Sequence, residues 1–156
     1  MKKTIVLFSV ILFIIMCPFT AFAEIGDLPE TKEYIEYFYD GSYAVVKMET
    51  NGAALYSTSS KTTRKSYNYY SSNNKLEWTA TLTGSFSYTG SSASCTSSSL
   101  SFKIYDDAWK VKSSQASKSG RTATGDFTIK RYTLGIPVKS VTKTITISCS
   151  NTGVCS

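Results

Sequence analysis

Leu76-Glu77-Trp78-Thr79-Ala80-Thr81-Leu82-Thr83-Gly84-Ser85-Phe86-Ser87-Tyr88 alternates without a break. Leu76, Trp78, Ala80, Leu82, Gly84, Phe86 and Tyr88 are apolar or small, and Glu77, Thr79, Thr81, Thr83, Ser85 and Ser87 fill the other phase. A strand turns successive side chains to opposite faces, so this stretch predicts one long strand with a buried face and a wet face. Asn73-Asn74 just before it reads as a turn from a polar strand around Lys61–Tyr70, and Thr89-Gly90-Ser91-Ser92 marks the turn that follows.

The same pattern repeats toward the C-terminus. Leu100, Phe102 and Ile104 alternate before Asp106-Asp107, and Trp109 and Val111 open a run that ends at Ser119-Gly120. Ala123, Gly125, Phe127 and Ile129 alternate before Leu134-Gly135. The last run has Val141, Ile145, Ile147 and Cys149 in one phase, with Lys143 as its single polar interruption. Pro137 near its start places it at an edge or at a first-residue position, because proline cannot donate to a ladder.

Toward the N-terminus, Glu33–Tyr39 and Ser42–Glu49 flank Asp40-Gly41. Asp27 with Glu30 resembles a helix capping box that Gly41 would close. Asp-Gly between two β-rich runs is the stronger signal, since both residues tolerate positive φ, and a hairpin is expected. About eight strands and no helix predict an all-β fold: a single antiparallel β-sandwich or barrel-like domain.

That domain follows an export signal. Lys2 and Lys3 precede the apolar run Ile5–Met16, and Ala21-Phe22-Ala23 supplies a small-x-small cleavage site. The run is well short of the ~20 residues that span a bilayer. Cys17 raises lipidation, but bulky Met16 stands where that processing needs a small residue. Residues 1–23 are therefore read as a cleaved signal peptide and 24–156 as a secreted, extracellular domain. Residues 24–31 are expected to be a flexible lead-in, and no membrane span is expected after cleavage.

Charge is divided along the chain. Residues 24–49 hold seven acids against Lys32 and Lys47, a net −5; residues 50–156 hold 13 Lys or Arg against Glu77, Asp106, Asp107 and Asp126, a net +9. A basic body suits anionic partners such as cell-wall polymers or acidic glycans. The plainer reading is that the acidic segment packs near the basic body. Nucleic-acid binding is not expected of an exported chain without a recognised module.

Cys95, Cys149 and Cys155 remain after cleavage, so one thiol is left over. A Cys149–Cys155 bridge would close a small loop through Asn151-Thr152-Gly153. A Cys95–Cys149 bridge would close about 54 residues and stabilise by roughly 4 kcal/mol on the chain-entropy estimate. The second pairing is favoured, with Cys155 free.

The segments Glu77–Gly90, Ala93-Ser94-Cys95-Thr96-Ser97, Lys118–Gly125, Lys130-Arg131-Tyr132 and Ile145–Ser150 resemble a group of small uncharacterised secreted proteins of Gram-positive bacteria. The resemblance covers roughly the C-terminal half. It implies a bacterial exported β domain with paired cysteines at 95 and 149, and it implies no activity. Cys155 departs from that pattern.

With no histidine in the chain, a Ser-His-Asp or Cys-His nucleophile has no base, and zinc chemistry lacks its commonest ligand. No metal or cofactor is expected. Asp106-Asp107 with Glu77 or Asp126 are the carboxylates that a hydrolase would use, though they read more simply as a turn and as polar-phase positions. Tyr67, Tyr69 and Tyr70, with Asn68 among them and Asn73 and Asn74 nearby, offer ring faces and amides that could bind sugars. Cross-strand aromatic pairing is their ordinary role. Tyr34, Tyr37, Tyr39 and Tyr43 cluster on the first hairpin. The expected function is a non-enzymatic interaction role at or beyond the cell surface. A glycan- or wall-polymer-binding module on the Tyr67–Tyr70 surface is the alternative, and a carboxylate-dependent hydrolase the remote one.

Overall fold

The structure, a computed structural model, describes residues 31–51 and 59–156. The expected signal peptide, Cys17, the Asp27 and Glu30 pair and residues 24–30 of the expected lead-in lie outside the described residues, and Thr31 opens the first strand. Eight strands account for nearly all of the rest: β1 Thr31–Tyr37, β2 Tyr43–Asn51, β3 Ser59–Tyr70, β4 Leu76–Tyr88, β5 Ala93–Ile104, β6 Trp109–Ser119, β7 Thr122–Thr133 and β8 Ile136–Ser148. They form two antiparallel meanders, β1-β2-β3-β4-β5 and β6-β7-β8, which stack as a sandwich. No helix occurs among the described residues.

Each turn follows from its residues. The first hairpin closes through Phe38–Ser42, where Gly41 takes φ 78° and the Asp40 carboxylate accepts from the Ser42 hydroxyl at 2.6 Å. Asn74 adopts φ 61° between β3 and β4, a conformation asparagine tolerates better than most. The β5–β6 crossing between sheets is capped by Asp106, whose carboxylate accepts from the Ala108 amide at 3.0 Å. Pro137 sits at the second residue of β8, an edge strand, as its missing N–H requires.

The alternation of β4 sets the core. Trp78, Ala80, Leu82, Gly84, Phe86 and Tyr88 face inward, and Ala123, Phe127, Ile129, Val141, Ile145 and Ile147 meet them from the smaller sheet. Gly84 lets the sheets approach: a Cβ there would meet the Phe86 ring at 2.8 Å and Ala123 at 3.0 Å. From β6, an edge strand, only Trp109 is buried; Val111 keeps the same register, opposite Ile129, but is exposed, and the register shifts just beyond it, between Val111 and Ser113.

The expected cysteine pairing is corrected. Cys149 is bridged to Cys155, and Cys95 is a free, buried thiol. Beyond β8 the chain reverses at Ser150–Gly153, and Ser148 and Ser156 exchange backbone hydrogen bonds at 2.9 Å, which sets Cys155 opposite Cys149. The β6–β7 turn stands between the favoured partners. The Cys95 amide donates to Gly120 O at 2.8 Å, and the Cys149 amide donates to Arg121 O at 3.1 Å. Burial raises the Cys95 thiol pKa, so it is slow to react as a thiolate. Non-reduced peptide mapping should therefore recover Cys149–Cys155. A thiol reagent should label Cys95 only after unfolding, and rapid labelling of the native protein would contradict this placement.

Candidate functional site

Strand β3 interleaves the tyrosines with polar residues, and its two phases part company. Tyr67 and Tyr69 are 1% exposed and lie in the core. Tyr69 stacks on Trp78 at 4.9 Å between centroids and Tyr67 at 5.7 Å, with interplanar angles of 4° and 14°. The expected Tyr67-Asn68-Tyr69-Tyr70 surface therefore does not exist as one platform. A strand cannot show adjacent side chains to the same side. Cross-strand aromatic packing has claimed the inward pair.

Asn68 and Tyr70 remain on the outer face. Asn68 is held by its strand neighbours, donating to Val45 O at 3.2 Å and accepting from the Thr79 hydroxyl at 2.9 Å. Tyr70 stacks on Tyr43 at 5.0 Å and 5°, and Tyr43 meets Tyr37 at 6.1 Å. The register continues this tyrosine row into a grid. Asn68, Ser66, Arg64 and Thr62 of β3 lie opposite Thr79, Thr81, Thr83 and Ser85 of β4; Lys103, Ser101, Ser99 and Ser97 of β5 follow. Hydroxyls recur about every 4.8 Å across the strands and about every 6.6 Å along them. Ser66 and Thr81 hydrogen-bond at 3.2 Å, and Thr62 and Ser85 at 3.3 Å. The smaller sheet covers only the opposite face. Tyr37 is 75% exposed.

Where β1 and its loop meet β8, a polar latch joins the two sheets. Lys139 donates to Asp40, to the Tyr69 hydroxyl and, at 2.9 Å, to the Ser42 hydroxyl. Tyr69 donates to Ser42 at 2.8 Å, and Ser42 donates to Asp40. Four residues further along β8, Lys143 pairs with Glu36, which also accepts from the Tyr67 hydroxyl at 3.0 Å. The Phe38 ring lies between, 5.4 Å from one ammonium and 5.6 Å from the other. Glu36 and Asp40 of the acidic N-terminal segment thus pack on the basic body, and the lysine that interrupts the apolar phase of β8 meets its counter-charge in Glu36.

A serine beside a lysine and a tyrosine invites a catalytic reading, and the direction of the lysine's pKa shift runs against it. Burial pulls the Lys139 pKa down, yet hydrogen bonds to Asp40 and Tyr69 outweigh that and leave it raised. A general base needs the opposite shift. Asp40 is held at about 2, below its ordinary 3.8, first by the Lys139 hydrogen bond and then by Ser42. Burial, with Glu36 adding to it, pushes the Tyr67 phenol up. The groups are arranged to stay charged or neutral, as a latch requires.

Because the folded-state pKa of Asp40 lies below the unfolded value, its pairing stabilises the fold above about pH 4. That contribution is lost as pH falls from about 4 to about 2. The Asp40 side chain is 55% exposed, so solvent screening keeps it below about 1 kcal/mol. Asp40→Asn should be less stable than wild type in urea at pH 7, and the gap should shrink steadily as pH falls from about 4 through about 2. A gap that stays constant over that range would assign the effect to something other than the ion pair.

The four candidate carboxylates do not gather as a set: Glu77 and Asp106 adjoin through their backbones, the Asp106 amide donating to Glu77 O at 3.2 Å, but their carboxylates are engaged by different partners. Glu77 was expected on the wet face of β4 but is 5% exposed. A register shift at Tyr69/Tyr70 leaves it unpaired on the ladder, and this bulge turns it toward Trp109, whose indole donates to it at 2.8 Å. Asp106 caps its turn and lies 3.7 Å from Arg131. Asp107 is exposed, and Asp126 faces outward from β7, where it accepts from Thr144. Among the described residues no three metal-ligating side chains converge.

No family model matches the chain, and no curated protein matches it. A solved structure of a hypothetical protein from Listeria monocytogenes aligns with 17% identity over 76% of this chain and 86% of its own, at a TM-score of 0.42. At that distance neither topology nor activity transfers.

Proposed function

We propose that this chain is an exported, non-enzymatic β-sandwich that acts by surface contact, and that the contact surface is the outer face of the five-stranded sheet. The observation that carries this reading is the Tyr37-Tyr43-Tyr70 row beside a regular grid of Ser and Thr hydroxyls on the uncovered side of that sheet. Polyhydroxylated chains suit such a face. Hydroxyl pairs exchange hydrogen bonds at strand spacing, and exposed rings contribute apolar contact with the C–H faces of sugars. Lys47, Arg64 and Lys103 share this face by register with Glu33, which pairs with Lys47 at 3.0 Å, and with Glu49, so the face is close to neutral and would recognise a glycan or wall polymer by its hydroxyls and ring faces more than by its charge. This moves the glycan-binding alternative from the Tyr67–Tyr70 stretch to the face that Tyr70 and Asn68 share with Tyr43.

The test is retention on purified Gram-positive cell walls and on a glycan array. Wild type should bind at least one polysaccharide class, and Tyr37→Ala with Thr81→Ala should weaken retention about tenfold while leaving the melting temperature nearly unchanged. Retention indifferent to both changes would move the contact surface elsewhere.

A further inference from the structure

The turn between β7 and β8 is built against backbone preference. Leu134 and Gly135 form its two-residue tip with φ 50° and 80°, both in the left-handed region. Two-residue hairpins of this kind favour asparagine, aspartate or glycine at both positions, because a Cβ is crowded there. A leucine at the first position gains nothing from the turn, and its side chain gains nothing from the fold, since it is 97% exposed. Ile136 and Val138 follow at 65% and 57% exposed. The hairpin also overhangs its own sheet. Strand β6 begins at Trp109 opposite Arg131, and its side supports the hairpin only as far as Tyr132, whose amide donates to Ala108 O at 2.8 Å. A strained turn that presents three uncovered aliphatic side chains in a row is an arrangement for something outside the fold.

The base of this finger is cationic. Lys110 lies opposite Lys130, and Arg131 lies opposite Lys139. The exposed Lys112 follows on β6, and the Lys110 ammonium sits 5.9 Å from the Tyr132 ring. Asp40 holds Lys139 and Asp106 faces Arg131, while exposed Asp107 is the other carboxylate in the adjoining turn. Positive charge therefore predominates around the apolar tip. Aliphatic side chains at the end, a cation-backed tyrosine behind them and lysines at the base follow the order of layers met on entering an anionic lipid surface.

We propose that the Leu134-Gly135-Ile136 tip, with Val138, is a membrane-docking finger that inserts shallowly into a bilayer surface containing anionic lipid. It is separate from the sheet face proposed above, and either can hold without the other. The probe is vesicle flotation of the exported protein with phosphatidylcholine alone and with about 30% phosphatidylglycerol added. Wild type should float with the anionic vesicles and lose most of that binding at high salt. Leu134→Asn should reduce partitioning at least about tenfold. It should not lower the melting temperature, because asparagine suits that backbone better than leucine. Ile136→Ser should add a further loss, and Lys110→Gln with Lys130→Gln should flatten the salt dependence. Wild type that stays unbound in both mixtures would overturn the proposal, as would Leu134→Asn binding as wild type does. Concentration-dependent dimerisation abolished by Leu134→Asn would overturn it in favour of a second copy of the chain.

Discussion

Trp78→Ala should cost about 3–5 kcal/mol in urea unfolding, and its neighbour Thr79→Ala less than about 1 kcal/mol. Trp78 has no exposed surface and sits where the two sheets' aromatic residues converge. Tyr67 and Tyr69 lie near-parallel to its ring system, and Trp109 and Phe127 meet it edge-on at 5.9 and 6.0 Å. Truncation removes all four contacts at once and leaves a cavity that stacked rings cannot readily collapse into. Thr79 stands on the outer face with one hydrogen bond, to Asn68. One residue along the chain thus separates a large effect from a small one. Equal losses at the two positions would mean that the inward phase of β4 is misassigned.

Much of this was legible because alternation is a direct signal of which face a strand buries. In β4, β7 and β8 the apolar phase read from the sequence is the buried phase, and the turns at Asp40-Gly41 and Asn73-Asn74 fall where those residue types imply. The tyrosines of β3 were harder. Tyr67 and Tyr69 share a phase with Thr63, which is also buried, but flanking lysine, arginine and serine make the whole strand look wet. Reading them strictly by phase would have separated them from Asn68 and Tyr70.

Other features need the third dimension. Glu77 belongs to the polar phase by count, and only the bulge at Tyr69/Tyr70 turns it inward; nothing in the local sequence marks that bulge. Lys143 did leave a trace, as the one charge in an apolar phase, and such a charge predicts an internal partner. Its partner, Glu36, is over a hundred residues away. The cysteines mislead for a related reason. Loop-closure entropy favours the longer bridge, but it says nothing about which strands lie side by side, and the β6–β7 turn separates Cys95 from Cys149.

Trp109→Phe should cost about 2–4 kcal/mol, more than the change in ring size accounts for. A phenyl ring fills much of the indole's space, and that shortfall alone is worth about 1 kcal/mol. The rest comes from Glu77. Its carboxylate is 5% exposed, and the Trp109 indole N–H supplies its side-chain hydrogen bond. Phenylalanine has no donor, so a buried carboxylate would lose its partner, at a cost of about 1–3 kcal/mol. The backbone of Glu77 is unaffected, because its carbonyl still accepts from the Tyr105 and Asp106 amides. A double-mutant cycle isolates the side-chain contribution. Glu77→Leu alone strands the indole N–H, but once Trp109 is phenylalanine it removes a group that has nothing left to bind. The double variant should therefore be less destabilised than the sum of the two single variants by about 1–3 kcal/mol. Additive losses would show that Glu77 and Trp109 share a location and no energetic bond, and the bulge would then need another explanation.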